Sequence, residues 1–583
     1  MKRLCLTGAC YLLFVAGVAA AAKPVLDYEL SGISGELLEN AQIYLGSLPV
    51  SEDERDNFLF TAEKSLQQSL NALGHYEAKI ALDLDRSSAV WNLDIAVEPG
   101  PRVKLAEVDI RIEGAASEDP AFAELLERNP LQPGAGLQHE VYEDFKAELQ
   151  NLGRERGYFA GELTHHRVVV DPQMQEAQVQ LFYQSGERFH FGQISWDEYP
   201  LSRRLLEQMQ TFEQGDPFST EALREFQADL QRTGYFGSAL VRPQALIAET
   251  GEVPVKVELQ EGDRNHYRVG LGFSTDTQQR VSLTWRTPRI NSQGHSQESR
   301  IEYSPIRPQA RVDYMIPLGH PLTDKLLVGA RLEENEYGSL DSRQRIFSLR
   351  REYVRSNSIY SMGLRQLDED WDLGPERLNN DYLLPGATYS HSVRSGNVLD
   401  PESGFSQLYG FEIGSDNAGS DLDLARTYAN LKGVYSFGGR HRLVGRAEFG
   451  AVFFPDKSRP DLAPSLSFFA GGAQSIRGYA YQSLGPTETV INGDGDKATL
   501  VVGGDRLAIV SSEYQYYVTS EWRGTVFVDA GNAYNAGDFD PVVGAGVGVH
   551  YVSPVGAIRV DFANSVSENS DTWRVHLTIG AEF

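Results

Sequence analysis

From Trp573 the chain alternates without a break: Trp573, Val575, Leu577, Ile579, Ala581 and Phe583 are apolar, while Arg574, His576, Thr578, Gly580 and Glu582 are polar or small. A period of two sustained this long belongs to a β-strand whose two faces meet different surroundings. Tyr267, Val269, Leu271 and Phe273 against Arg268, Gly270 and Gly272 repeat the design, as do Val543, Ala545, Val547, Val549 and Tyr551 against Gly544, Gly546, Gly548 and His550. From His266 onward the whole chain partitions into sixteen such segments, beginning near Tyr267, Arg280, Glu298, Ala310, Lys325, Arg345, Ile359, Leu383, Phe405, Leu424, His441, Asp505, Glu521, Val542, Gly556 and Asp571. At about 10 residues per tilted strand plus connections, that length closes an antiparallel transmembrane barrel of roughly 16 strands.

Composition agrees. The chain carries 27 Phe, 27 Tyr, 6 Trp and 55 Gly, a mix suited to strands between two solvents and to frequent tight turns. A hydrophobic fraction of 41% is too low for a bundle of membrane helices, and the one long uncharged apolar stretch lies at the N-terminus. The formal charge of −28 excludes a general affinity for nucleic acid or anionic headgroups.

Met1, Lys2 and Arg3 precede the uncharged run Leu4 to Ala22, and Ala20-Ala21-Ala22 offers a small-residue cleavage site, so residues 1–22 are expected to be a secretory signal peptide. Cys5 and Cys10 both fall inside it. The mature chain is expected to enter an oxidising compartment with no disulfide and no thiol chemistry.

Residues 24–264 contain a threefold repeat. Phe58, Ala62, Leu66 and Leu70 recur at helical spacing before Gly74-His75-Tyr76; Tyr142, Phe145 and Leu149 precede Gly157-Tyr158-Phe159; Leu223, Phe226 and Leu230 precede Gly234-Tyr235-Phe236. Glycine supplies the left-handed conformation that closes a helix, and the aromatic after it is expected to start a strand while covering the core. Each copy ends on an alternating strand (Trp91 to Val97, Ala177 to Tyr183, Val253 to Leu259) and a glycine turn: Gly100-Pro101-Arg102, Gly186-Glu187-Arg188 and Gly262-Asp263-Arg264. A small helix-covered sheet leaves an edge open, so strand addition by a partner is the physical default.

A helix, Gly-Tyr-Phe, an alternating strand and a Gly-x-Arg turn resemble the POTRA domain, the polypeptide-transport-associated module of outer-membrane assembly factors of the BamA/TamA superfamily. The first copy departs from the pattern in carrying His75 where the others have Tyr. Three copies is the count of the TamA family, against five for BamA and two for two-partner-secretion transporters. The resemblance implies three α+β POTRA domains (23–100, 101–186, 187–264) followed by a 16-stranded barrel (265–583), with the apolar terminal Phe583 resembling the recognition signal of such barrels.

The stretch from about Asp456 to Gly504 is too extended for a turn and too Gly-rich for a helix, and long loops of this kind are commonly functional. At its centre, Gly471-Gly472-Ala473-Gln474-Ser475-Ile476-Arg477-Gly478-Tyr479 resembles the family's RGY/RGF lid-loop motif. Strand alternation directs Asp529 inward, opposite Val526, Val528 and Ala530, and Glu513 inward, opposite Val510, Tyr514 and Tyr516. By resemblance Arg477, in a motif with Gly478 and Tyr479, pairs with Asp529 and Glu513 and holds the loop inside the lumen. Val552-Ser553-Pro554-Val555-Gly556 resembles the family's last periplasmic turn, and Asp400-Pro401 with Gly404-Phe405 its mid-barrel turn.

The resemblance further implies a lateral gate between the first and last strands, involving Tyr267, Val269, Leu271, Ile579, Gly580 and Phe583. Gly580 is expected to let the last strand kink inward. Implied partners are a TamB-like inner-membrane protein contacting the first POTRA domain, nascent outer-membrane proteins including autotransporters, and outer-membrane lipid. The implied role is outer-membrane protein insertion; phospholipid movement with the same partner, two-partner secretion and a passive porin are the alternatives. No enzyme chemistry, metal or cofactor is expected. His165-His166 lacks further ligands at a compelling spacing, Asp494-Gly495-Asp496 lacks the later glutamate of a calcium loop, and the glycines at 544, 546 and 548 precede no helix as a dinucleotide loop requires.

Overall fold

The structure, a computed structural model, describes residues 23–397, 400–455, 461–491, 496–553, 556–567 and 573–580. The expected signal segment with Cys5 and Cys10, the pairs Asp494-Gly495 and Pro554-Val555, and the terminal Phe583 lie outside the described residues. The chain forms two compact units. The first runs to Ile194 and includes Phe212–Ala222 and Pro243–Val255; the second comprises Ser195–Thr211, Leu223–Arg242 and the chain from Lys256. Elements of the third repeat are divided between the two.

In each repeat a three-stranded sheet places its last strand in the middle. In the first, Trp91–Glu98 is flanked by Leu26–Ser31, parallel, and Lys79–Asp85, antiparallel. The second arranges Lys104–Glu113, Glu176–Gln184 and Glu162–Asp171 in the same way. Glu52–Ala72 is helical because Ser51 caps it by accepting the Glu54 N–H and three acids occupy the first turn. Its apolar stripe, Phe58, Ala62, Leu66 and Leu70, packs on Leu93, Ile95 and Val97; in the second repeat Tyr142, Phe145 and Leu149 pack on Ala177, Val179 and Leu181.

The expected helix-ending glycines take positive φ, +88° at Gly74, +87° at Gly157 and +72° at Gly234. The aromatic that follows behaves differently from expectation. The next strand starts only at Lys79 and Glu162 in the first two copies, and at the aromatic itself, Phe236, only in the third. Tyr158 instead turns into the core, buried with its hydroxyl on Asp119 at 3.1 Å, so the backbone needs further residues to regain the sheet plane.

The second unit contains a closed barrel of sixteen antiparallel strands, from His266–Ser274 to Trp573–Gly580. Observed strand starts follow the sequence partition to within two residues except in the sixth, eighth and ninth, which begin at Leu340, Glu376 and Pro401 rather than near Arg345, Leu383 and Phe405; the early start of the eighth lets it pair with the seventh strand, Ser358–Leu373, along that strand's whole length. Outward positions are large and apolar yet open, with Leu271, Phe347, Val526 and Val528 all exposed, while Glu513, Gln515, Arg523, Asp529, His550 and Asp561 are buried inside. An apolar exterior over a polar interior inverts the soluble pattern and fits a wall facing lipid. No helix among the described residues is long and apolar enough to cross a membrane.

Candidate functional site

The segment between the eleventh strand, His441–Phe453, and the twelfth, Arg506–Tyr517, folds back into the lumen. Leu462, Ala463, Leu466, Phe468, Ala470, Ile476 and Tyr479 are buried there against wall residues such as Leu367, Trp371, Tyr382 and Ile509. The segment is not wholly irregular as expected: Thr487–Ile491 and Lys497–Val501, rich in β-branched residues, pair as a small hairpin. At its outer end the buried Glu369 accepts from the Ser465 N–H at 3.1 Å and the Ser342 hydroxyl at 2.6 Å.

Arg477 is 2% exposed and sits within a ring of carboxylates. Its Nε and Nη2 donate to the two oxygens of Asp529 at 2.7 and 2.9 Å, and its backbone N–H donates to Asp529 Oδ2 at 3.0 Å. Nη1 donates to Glu513 at 2.5 Å and to Asp561 at 3.3 Å. The guanidinium lies 3.4 Å from the Phe527 ring centroid, on its face. Three carboxylates exceed one cation. Arg446 brings a second cation to 3.7 Å from Asp529, and His550 Nε2 stands at hydrogen-bond distance, 3.1 Å, from Asp561 Oδ1. Gly478 and Tyr479 complete the motif, Gly478 donating its N–H to His576 Nε2 at 3.1 Å and Tyr479 being buried.

Asp561 and Phe527 belong to the site although sequence reasoning did not name them. Both were legible, since Ile558, Val560 and Phe562 outward put Asp561 inward, and Phe527 shares the face of Asp529. The run Gly544, Gly546, Gly548 in the fourteenth strand, Val542–Ser553, also has a job. A Cβ on Gly544 would stand 1.8 Å from the Arg477 carbonyl oxygen, on Gly546 2.6 Å from the Phe527 ring, and on Gly548 2.0 Å from Asp561. Gly544 thus gives room to the loop backbone, while Gly546 and Gly548 give room to the Phe527 and Asp561 side chains that contact Arg477.

A second buried network continues along the wall. Gln515 donates to Glu513 at 2.6 Å and accepts from Arg523 at 2.7 Å. Arg442 and Arg523 both reach Asp400, at 2.9 and 3.0 Å, and Arg442 also donates to the Pro401 carbonyl. The Asp400-Pro401 turn is thus tied through side chains toward the lid-loop anchor.

Among the described residues the first and sixteenth strands meet through one registered pair, Ser274 opposite Thr578, supported by Thr275 N–H to the Leu577 carbonyl at 3.0 Å. Elsewhere the ladders run from seven residues, between the second and third strands, to sixteen, between the seventh and eighth. Leu271 and Ile579 are exposed beside this seam. Tyr267 and Val269 are also exposed, and antiparallel register from Ser274 and Thr578 brings Gly580 level with Gly272.

Residues 255–583 match the Omp85 superfamily domain, and residues 27–99 match the POTRA domain described as TamA domain 1. The outer membrane protein assembly factor BamA of Nitratidesulfovibrio vulgaris strain Hildenborough is 26% identical over 167 residues, covering 27% of this chain and 20% of that protein. The alignment therefore spans about a fifth of that relative. In fold, the chain is similar to the crystal structure of BamA from Haemophilus ducreyi lacking POTRA domains 1–3, with a TM-score of 0.67 and 16% identity, covering 82% of this chain and 99% of that one. CdiB from Acinetobacter baumannii aligns at a TM-score of 0.46 and 14% identity, over 94% of this chain and 100% of that one.

Proposed function

We propose that this chain, which belongs to the Omp85 superfamily and is an outer-membrane β-barrel protein with periplasmic POTRA domains, promotes insertion and assembly of outer-membrane proteins such as autotransporters through a lateral gate between its first and sixteenth strands. The observation that carries this reading is the seam. Among the described residues a single registered pair joins these strands, against ladders of up to sixteen residues elsewhere, and its separation exposes two strand edges to which an incoming strand can add.

The wall next to the seam supports the same reading. The first four strands have 9, 10, 8 and 9 residues, against 21 in the eighth. At about 3.3 Å per residue and a tilt of about 40°, strands that short rise about 20–25 Å, less than a hydrocarbon core of about 30 Å. A bilayer matched to such a wall is thinned there, which lowers the barrier to insertion.

The match of residues 27–99 to a TamA-type first POTRA domain supports an inner-membrane TamB-like partner at that module. Two experiments test the proposal. With Ser274→Cys and Thr578→Cys, oxidation is expected to abolish client insertion and reduction to restore it; undiminished insertion with the seam locked overturns lateral gating. Deleting residues 24–100 is expected to abolish co-purification of a TamB-like partner, and retention of the partner rejects that assignment.

A further inference from the structure

We infer that the lid loop latches the seam, holding the first strand to the sixteenth through Asp276 on one side and His576 on the other. The inference rests on the lateral-gate reading and adds to it the residues that keep the gate shut.

Asp276 lies in the turn just after the first strand, where its backbone N–H donates to Ser274 Oγ at 3.2 Å. Its Oδ2 accepts the Ala473 N–H of the loop at 2.7 Å. The neighbouring Gly472 has φ +108°, and a Cβ there would stand 2.8 Å from that same oxygen, so the loop approaches Asp276 closely only because this position lacks a side chain. On the other side His576, 4% exposed in the sixteenth strand, accepts the Gly478 N–H on Nε2 at 3.1 Å. A neutral imidazole that accepts on Nε2 carries its proton on Nδ1. That Nδ1 is buried without a hydrogen-bond partner among the described residues, and it faces Asp276 Oδ1 at 3.7 Å.

The loop therefore touches both seam strands through side chains while Arg477, between these two contacts, is anchored on the twelfth, thirteenth and fifteenth strands. The loop thereby adds, from inside, to the closure made by the single registered pair among the described residues. A cavity of about 500 Å³ adjoins it, lined by Ser274, Asp276, Gln474, Ser475, Tyr481 and Thr578 among others.

The test uses the full chain in outer-membrane vesicles with Ser274→Cys and Thr578→Cys as a reporter of seam closure. Asp276→Ala and His576→Phe are each expected to slow disulfide formation about fivefold, the weight of roughly one hydrogen bond, with the barrel still folded as judged by heat-modifiable migration. Asp276→Asn and His576→Gln, which retain an acceptor, are expected to restore most of the rate, and Asn380→Ala, which loosens only the outer end of the loop at the Asp461 carbonyl, is expected to leave it unchanged. Wild-type rates in both Asp276→Ala and His576→Phe overturn the latch, as does a slowing in Asn380→Ala equal to theirs. If either variant does not fold, Gly472→Ala releases the same arm by its contact with Asp276 and is read identically. Failure of the gate itself is separate: client insertion through an oxidised seam rejects the gate whatever the disulfide rates, whereas blocked insertion with unaltered rates rejects only the latch.

Discussion

Arg477 shows what one guanidinium can do that an ammonium cannot. Its planar fork meets Asp529 with two parallel bonds and still reaches Glu513 and Asp561. Removing one side of such a buried ionic set leaves uncompensated charge, so Arg477→Ala should lower barrel stability by about 3–5 kcal/mol. Arg343→Ala, whose exposed partner Glu334 is 3.7 Å away, should cost about 0–1 kcal/mol. Thermal unfolding in detergent compares the two, and equal midpoints refute the anchoring role. In the second POTRA module, burial raises the Asp119 carboxyl, but Arg156 at 2.6 Å, the Ala121 N–H and the Tyr158 hydroxyl outweigh it and hold the group below the ordinary carboxylate range. A lowered folded pKa means the stabilisation is complete above the unfolded value of about 4 and is lost as pH falls through the lower folded value. Hydrogen exchange should show protection of helix Pro120–Glu127 declining across that acid window, whereas Asp119→Asn should be less protected at neutral pH and flat below about pH 4. Asp529 and Glu513 were legible because alternation assigns each wall residue a face, and Arg477 because the loop around it resembles a known motif. Arg446 and His576 were less so, since an inward polar residue does not say which loop atom it meets.

At the scale of the element, the fourteenth strand combines two demands in one period. Val543, Ala545, Val547 and Val549 take the outer face, and the glycines between them make room for the loop backbone at Gly544 and for the Phe527 and Asp561 side chains at Gly546 and Gly548. Gly544→Val should displace the Arg477 carbonyl and make the loop around Leu462–Tyr479 sensitive to protease. Gly445→Ala, with nothing within 4 Å of its added methyl, should leave the digestion pattern unchanged. The joint between the first two POTRA modules is built by the backbone, Val103 donating to the Gly74 carbonyl and Leu137 to the Val103 carbonyl, each at 2.9 Å. The next joint repeats it with Phe189 on Gly157 and Phe218 on Phe189. Gly157→Ala meets both a φ of +87° and Phe218 at 2.9 Å, so it should cost about 1 kcal/mol or more in the denaturation of that module. The glycines were visible in sequence as helix stops; that their carbonyls also join consecutive modules was not, because the bonding partners, Val103 for Gly74 and Phe189 for Gly157, lie beyond the next strand and are selected by packing.

For the molecule as a whole, ladder length should set where the barrel breathes. Amides of the seventh and eighth strands, paired along sixteen residues, should exchange slowest, and those of the first strand facing the seam fastest. Hydrogen exchange in a bilayer checks this, and uniform protection around the barrel removes the physical basis for a preferred opening. Thickening the bilayer should widen the contrast, since the short strands beside the seam bear the greatest mismatch.

The alternation to Trp573 and its counterparts determined the barrel, its strand number and the inward or outward sense of every wall residue, because a two-residue period is a local property that no packing partner can alter. The threefold Gly-aromatic pattern likewise determined the modular first half. Tertiary structure alone decided the register of Ser274 on Thr578 and the meeting of Asp276 and His576 across the loop. These depend on shear and closure, which are fixed only when the first and last strands come into register across some three hundred residues of chain.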